Sequence, residues 1–252
     1  MRAAAPRGVG ARILAVLALV LAVLVGAYAF ARETSIFAIE RIELRGAPAD
    51  VRAPARAVLA GWLGSSLVGL DTGEVLRRVE AVPWVERATL DRAFPNTLRV
   101  AIRPERAVAV LRRGREWWLV SGRGRVLERL RPHEPTGLPR VWVSTATPVR
   151  AGEMLPDADG GAAARALAPL VRSGFPARVV AAALRRGELV FRLHSGVELR
   201  LGRPYDLRLK LAIARRIVLL LPASTLYLDV SVPERPVAGT PLPSDPNTQL
   251  SG

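Results

Sequence analysis

An uncharged apolar run near the N-terminus is the feature that most restricts how this chain can fold. Residues 13–31 read ILAVLALVLAVLVGAYAFA, and Arg12 and Arg32 close the run on either side. As a helix, this run would extend about 28 Å at roughly 1.5 Å per residue, which matches a hydrocarbon core of about 30 Å. The pattern therefore predicts a transmembrane helix over 13–31.

The charges before this run predict its orientation. Arg2, Arg7 and Arg12 precede it without an acidic residue, so residues 1–12 form a basic stub. Positive residues next to a span favour the cytoplasmic side of the membrane. We therefore expect residues 1–12 in the cytoplasm and the chain after residue 31 on the extracytoplasmic side.

A cleaved signal peptide is the alternative interpretation of the same run. Residues 27–29 and 29–31 both have the A-x-A pattern of a cleavage site. The run is longer than the usual apolar core of a signal peptide, about 7 to 15 residues, and this length favours an anchor.

Composition excludes several kinds of chemistry. Half of the 252 residues are hydrophobic and none is cysteine, which excludes disulfides, zinc–thiolate sites and thiol nucleophiles. A net charge of +15 would ordinarily favour nucleic acid or anionic membrane as a partner. Here the charge comes almost entirely from scattered arginines, with Lys210 the one lysine, so we expect no nucleic-acid partner.

The chain after the apolar run begins with a strand and two helices. Residues 37–46, FAIERIELRG, alternate apolar and charged side chains, which predicts a half-buried strand. Residues 50–63 carry apolar side chains at helical spacing behind a candidate cap at Asp50. Asp71 stands three residues before Glu74, a capping-box spacing that predicts the start of a second, short helix.

Three prolines then mark the ends of two further strands. Pro83 precedes a predicted strand over 84–92, Pro95 lies in a turn, and Pro104 closes a predicted strand over 97–103. Proline cannot donate to a strand ladder, so it is tolerated where an element begins or ends. The predicted order is strand, helix, helix, strand, strand.

Residues 105–232 predict a second, mostly antiparallel β domain with two helices, within an α+β protein. The predicted strands cover residues 107–111, 116–120, 125–130, 140–144, 179–184, 188–194, 197–201 and 226–232. The predicted helices cover 162–171 and a stretch from Pro204 to Leu221. The proline-rich residues 233–252 predict a disordered tail.

These patterns together resemble the FtsQ/DivIB family of bacterial cell-division proteins, from the apolar run to about Val237. The motifs that carry the resemblance are FAIERIELRG, Pro83-Trp84-Val85, Pro95-Asn96-Thr97-Leu98, Glu105-Arg106-Ala107-Val108-Ala109, Gly202 with Lys210-Leu211, and Leu228-Asp229-Val230. The chain departs from the family pattern at Ser231 and Val232, where the family often has Arg and an aromatic residue, and at Arg106-Ala107, where the family usually has a proline.

The resemblance implies a POTRA-like domain over 37–104, an FtsQ-type β domain over 105–232, and a single-pass protein of the inner membrane at the division septum. It also implies a non-enzymatic scaffold of the divisome that binds FtsB and FtsL through the exposed edge of its final strand. That strand comprises Leu226, Tyr227, Leu228, Asp229, Val230, Ser231 and Val232. We expect no cofactor, metal or small-molecule substrate.

The residues give little support to catalysis. His133 and His194 lack the spacing of metal ligands, and Asp157 and Asp159 lie in a loop where solvated carboxylates are common. We expect no catalytic residues. Two alternatives stay open: a secreted or membrane-anchored envelope enzyme of unknown reaction, and a POTRA-containing outer-membrane assembly factor, which would need a barrel of alternating strands after the module.

Overall fold

The computed structural model describes residues 7–33, 35–132, 134–173 and 175–240. The chain divides into two compact units, Met1–Pro104 and Glu105–Gly252, and each is described separately.

The first unit begins with a long helix, α1 (Arg7–Glu33). Its described large apolar side chains, from Ile13 to Tyr28, are 49% to 69% exposed. Within the part of the chain that the structure describes, no helix combines the length and the hydropathy needed to cross a membrane. Within the predicted span 13–31, the side chains at 27 and 29–31 are not described, and neither are the side chains of Arg7 and Arg12. Arg2 lies outside the described residues.

A three-stranded sheet and two helices follow α1. The elements are β1 (Arg41–Arg45), α2 (Ala49–Leu59), α3 (Thr72–Glu80), β2 (Val85–Ala93) and β3 (Thr97–Pro104), with single 3-10 turns at Ser35–Phe37 and Ala60–Trp62. The strand order is β1-β3-β2, with β1 parallel and β2 antiparallel to β3. Val51, Leu59, Val75 and Val79 of the helices pack against Leu98, Val100 and Ile102 of β3 in one buried core. The predicted order of strand, helix, helix, strand, strand is therefore confirmed.

The boundary signals of this unit meet different outcomes. Pro83 lies between α3 and β2, Pro95 lies between β2 and β3, and Pro104 ends β3, as predicted. Asp71 caps α3, because its Oδ1 accepts the backbone N–H of Glu74 at 3.1 Å. The predicted cap at Asp50 is wrong: α2 begins one residue earlier, after Pro48, and no side chain caps it. Pro48 is the N-cap residue, and its side chain has no hydrogen-bonding group, so this helix begins without a side-chain cap.

The second unit is built on a nine-stranded sheet. Its elements are β4 (Ala107–Arg113), β5 (Glu116–Ser121), β6 (Val126–Leu130), β7 (Arg140–Val143), α4 (Gly161–Ser173), β8 (Val179–Arg185), β9 (Glu188–Leu193), β10 (Glu198–Gly202), α5 (Leu207–Val218), β11 (Tyr227–Asp229) and β12 (Val237–Gly239). The strand order is β12-β11-β10-β9-β8-β7-β4-β5-β6. Most neighbours are antiparallel, whereas β4–β7, β7–β8 and β10–β11 are parallel.

Helices α4 and α5 contribute to the buried core of this unit. Ala163 and Leu167 of α4 and Leu211 and Ala214 of α5 belong to the same apolar cluster as Phe191 of β9. Helix α5 begins at Leu207, because the chain adopts a left-handed conformation at Asp206 (φ 51°) immediately before it. The predicted start near Pro204 is therefore three residues too early.

The end of the chain differs most from the sequence prediction. The final predicted strand, 226–232, is reduced to the three residues of β11, and the backbone then turns, with the Arg235 N–H bonding the Val232 carbonyl at 3.1 Å. Residues 237–239 return as β12 and pair antiparallel with β11. The predicted disordered tail is therefore wrong for these residues, and 241–252 lie outside the described part.

Candidate functional site

The strand predicted to bind a partner is not at the edge of the sheet. β11 pairs with β10 on one side and with β12 on the other, so the protein's own chain already occupies the rim that was predicted to be open. The physical reason is the turn after Val232, which brings a short segment back alongside β11. The prediction that 226–232 forms the exposed edge is therefore wrong, and the edge strand is β12.

The predicted site residues separate into buried and accessible positions. Leu228 and Val230 are 0% exposed and belong to the core of the second unit. Leu226 and Val232 are about half exposed, at 50% and 53%. Tyr227, Asp229 and Ser231 are half-buried. Leu228 on β11 and Val230 just after it thus belong to the core, and these two side chains cannot contact a partner in the folded protein.

The backbone of β11 is divided between its two neighbours. The Glu198 N–H donates to the Leu226 carbonyl at 2.9 Å, and the Val230 N–H donates to the Arg200 carbonyl at 2.9 Å. Since backbone groups of alternate residues point to opposite sides of a strand, Tyr227 and Asp229 direct theirs towards β12.

On β12, this alternation leaves Ala238 directed outward. Tyr227 is opposite Gly239 and Asp229 is opposite Val237, so the residue between those partners points its N–H and C=O away from β11. No strand of the described residues pairs with this outer side. An additional contact holds β12 in place, because the Leu226 N–H donates to the Gly239 carbonyl at 3.0 Å.

The chain around β11 is held by close backbone approaches. The Asp229 carboxylate accepts the backbone N–H of Ser231 at 2.8 Å. Gly202, at the end of β10, has φ +63°, and a Cβ added there would lie 2.7 Å from the Ser231 Cβ. A glycine is therefore required at 202, since a left-handed backbone and a close neighbour coincide there.

An aromatic side chain and an ion pair flank this edge on one face of the sheet. The Arg200 guanidinium lies 4.9 Å from the centre of the Tyr227 ring, and its Nε donates to Glu198 at 2.8 Å. This hydrogen bond raises the pKa of Arg200, while burial lowers it by a smaller amount. Glu198 on β10 is opposite Tyr227 on β11, which is opposite Gly239 on β12, so Tyr227 is the member of this group that borders β12.

A buried lysine connects α5 to the loop before it. Lys210 is 0% exposed, and its Nζ donates to the Arg203 carbonyl at 3.0 Å and lies 4.1 Å from the Tyr205 ring centre. Burial lowers the pKa of Lys210, and the charges of Asp206 and Asp229 oppose this shift. Sequence reasoning noted Lys210 only as the one lysine and as a family motif; its burial was missed.

The described residues contain no group of three or more histidine and acidic side chains placed to hold a metal ion. His194 is exposed on the loop after β9, and His133 lies outside the described residues. Asp157 pairs with Arg165, and Asp159 accepts the Thr147 hydroxyl at 3.1 Å.

Comparison with known proteins matches the first unit. The family model described as POTRA domain, FtsQ-type, covers residues 37–104, the range that contains β1, α2, α3, β2 and β3. Residues 37–104 thus match a POTRA domain of the FtsQ type.

Several relatives have the same name. "Cell division protein FtsQ" of Bordetella pertussis is 34% identical over 105 residues, which is 40% of this chain and 38% of that protein. The protein of that name from Caulobacter vibrioides is 28% identical over 120 residues, 48% of this chain and 39% of the relative. That of Rhizobium meliloti is 32% identical over 75 residues, 30% of this chain and 24% of the relative.

These matches confirm the resemblance to the FtsQ family. The chain spans less than two fifths of the length of each of these relatives.

The signal missed in the sequence is the return of the chain after 232: Pro233 and Pro236 bracket a turn, and only three residues, 237–239, follow it as a strand.

Proposed function

We propose that this chain acts in bacterial cell division as a non-enzymatic, membrane-anchored scaffold that binds other division proteins through the outer side of β12. The observation that carries the proposal is the FtsQ-type POTRA domain at 37–104, together with relatives that are all named for cell division. The proposed partners are FtsB and FtsL types of division protein, which the family resemblance implies.

The anchor in this proposal is the apolar run 13–31 within α1. Its support is the length of the uncharged run, the exposure of its described apolar side chains, and the basic residues Arg2, Arg7 and Arg12 before it. With this orientation, the rest of the first unit and the whole second unit lie on the extracytoplasmic side of the inner membrane, and the chain gathers at the septum.

The binding step in this proposal is strand addition. An extended partner segment would pair with the outward N–H and C=O of Ala238, so main-chain hydrogen bonds would supply affinity. Side chains of the partner would contact accessible groups at this edge. Tyr227 beside β12 is partly exposed, and Val237 on β12 is exposed. Of the residues that the sequence predicts for the final strand, Leu226, Tyr227, Asp229, Ser231 and Val232 are candidates for partner contact.

A depletion experiment tests this function in cells. The chromosomal copy is placed under a repressible promoter, and a fluorescent fusion of the full chain is supplied in its place. The proposal predicts septal fluorescence, and filamentation when both copies are absent. An even envelope signal with normal division in depleted cells would reject the cell-division role.

A second fusion that carries Ala238→Pro tests the edge within the same experiment. This variant should fail to bring an FtsB-type protein to the septum. The matched variant Ala238→Val keeps the backbone N–H and should behave as the unmodified chain does.

A further inference from the structure

Three exposed apolar side chains of the POTRA region are carried by segments that meet just before β1. Among the described residues of 35–104, the large apolar side chains with high exposure are Ile36 at 61%, Leu63 at 51% and Phe94 at 58%. They come from three segments that are distant in sequence: the turn after α1, the end of the turn that follows α2, and the β2–β3 hairpin. We call these three residues the apolar pole.

Hydrogen bonds hold the first two segments together. The Gly64 N–H donates to the Ile39 carbonyl at 2.9 Å, and the Ile39 N–H donates to the Ser65 carbonyl at 2.9 Å. The Leu67 N–H donates to the Phe37 carbonyl at 2.8 Å. The loop that carries Leu63 is therefore fixed against the segment that carries Ile36.

The hairpin tip is fixed to the same segment. The rings of Phe37 and Phe94 meet edge to face, with their centres 5.9 Å apart. The Glu40 N–H donates to the Asn96 carbonyl at 2.9 Å, and the Asn96 amide donates to the Glu40 carboxylate at 2.6 Å. The three exposed side chains are thus carried by segments that are all bonded to residues 37–40, just before β1, although burial of such side chains is what water normally favours.

The position of the pole along the chain indicates what covers it. Ile36 follows the last residue of the apolar run, Ala31, by only five positions. Even a fully extended chain of that length reaches about 18 Å at roughly 3.6 Å per residue, and α1 continues to Glu33, which shortens the reach. The headgroup layer on each side of a bilayer is about 5 to 8 Å thick. A chain anchored through 13–31 therefore holds Ile36 within about 18 Å of the hydrocarbon core, which brings the segments bonded to residues 37–40 close to the membrane surface.

We propose that the apolar pole inserts into the headgroup layer of the membrane that holds α1, with phospholipid as its partner. Phe94 and Ile36 supply the apolar contact, as aromatic and aliphatic side chains do in interfacial anchors. Together with α1, this second contact restricts the tilt of the POTRA domain relative to the membrane. The inference rests on the anchor of the proposed function and goes beyond it.

The lack of cysteine allows a clean labelling experiment. Single cysteines replace Ile36, Leu63, Phe94 or, as a control, Arg87 in the full chain, and each carries an environment-sensitive NBD fluorophore. Arg87 is exposed on β2, the strand that leads into Phe94. It lies seven residues before Phe94 and so about 23 Å away at roughly 3.3 Å per residue. The labelled chains are reconstituted in vesicles of phosphatidylethanolamine and phosphatidylglycerol at about 3:1, with and without spin-labelled lipids.

Flotation of the vesicles is measured first, and fluorescence second. The inference predicts blue-shifted emission at 36, 63 and 94, with quenching by headgroup-proximal spin labels at least about threefold stronger than at 87. A chain that floats with the vesicles but shows equal quenching at 94 and 87 would overturn the pole and leave the anchor standing. A chain that does not float would overturn the anchor, and the pole with it.

A second variant separates lipid contact from label artefacts. Phe94→Ser in the chain labelled at 36 removes part of the apolar surface and the contact with Phe37, but the Glu40 and Arg41 N–H groups still bond the Asn96 carbonyl, so the fold should persist in its circular dichroism spectrum. The inference predicts weaker quenching at 36 in this variant. Unchanged quenching at 36 would contradict a shared insertion of the two side chains.

Discussion

Replacement of Leu228 by alanine tests whether β11 belongs to the core or to a binding surface. The Leu228 side chain is 0% exposed within the core of the second unit, whereas Leu226, two residues earlier, is 50% exposed. Truncation of a buried leucine to alanine costs about 2 to 5 kcal/mol. Truncation of a half-exposed leucine removes much less buried surface and should cost at most about 1 kcal/mol.

Hydrogen exchange measured by mass spectrometry can detect this difference locally. At about 1.4 kcal/mol per factor of ten, Leu228→Ala should raise the exchange of amides in β10 and β11 by about 30-fold to several thousandfold, where opening precedes exchange. One such amide is that of Val230, which bonds Arg200. Leu226→Ala should raise it by less than about tenfold.

Peptides from β2 and β3 serve as the internal control for both variants, because they belong to the other unit. Their exchange should stay unchanged. Equal effects of the two alanines on β10 and β11 would refute the assignment of Leu228 to the core, and with it the reasoning that places the binding surface on β12.

Three further predictions concern single residues. Gly202→Ala should lower the free energy of unfolding in urea by about 2 to 4 kcal/mol, because position 202 combines a left-handed backbone with the 2.7 Å approach to Ser231. Gly196 has φ +90° but open space around it, so Gly196→Ala should lower it by only about 1 to 2 kcal/mol, from backbone strain alone. Equal losses for the two variants would contradict the close approach. Asp71→Ala should lower the stability of the POTRA domain by about 1 kcal/mol through the missing cap of α3, measured by denaturant unfolding, and an unchanged midpoint would count against the cap. Burial lowers the pKa of Lys210, so between that lowered pKa and about 10.5 the unfolded chain binds more protons than the folded chain. The free energy of unfolding should therefore rise with pH across this window, and Lys210→Met should lack that rise. Equal slopes of unfolding free energy against pH for the variant and the unmodified chain, measured from pH 8 to 10, would contradict this.

The first unit could be predicted from the sequence because its signals are local. Alternation over residues 37–46, the capping spacing at Asp71 and the three prolines each act within a few residues of the feature that they mark. The module's order of elements, and the family to which it is similar, followed from them. The cap at Asp50 failed because Pro48 can begin a helix without a side-chain bond.

The candidate site could not be predicted to the same extent because it depends on contacts between distant residues. Pro233 and Pro236 mark a turn, but nothing local indicates that residues 237–239 then pair with β11, since a three-residue strand in a proline-rich segment has almost no pattern of its own. Propensity predicts a strand within 226–232, of which only 227–229 form one, but does not say which side of the sheet is covered. The burial of Lys210 likewise depends on the loop before α5, which the sequence does not specify.

The central claim, that a partner strand pairs with the outer side of β12, is tested most directly by the affinity of an FtsB-type extracytoplasmic segment for the chain and for two variants at Ala238. Ala238→Pro removes one backbone N–H that points outward and leaves the hydrogen bonds to β11 in place. An edge strand tolerates proline at such a position. Loss of that hydrogen bond and the unpaired partner carbonyl should cost about 1.5 kcal/mol or more, so titration calorimetry should show affinity at least about tenfold weaker. Ala238→Val should bind within about threefold of the unmodified chain. Unchanged affinity of a folded Ala238→Pro variant would contradict the claim.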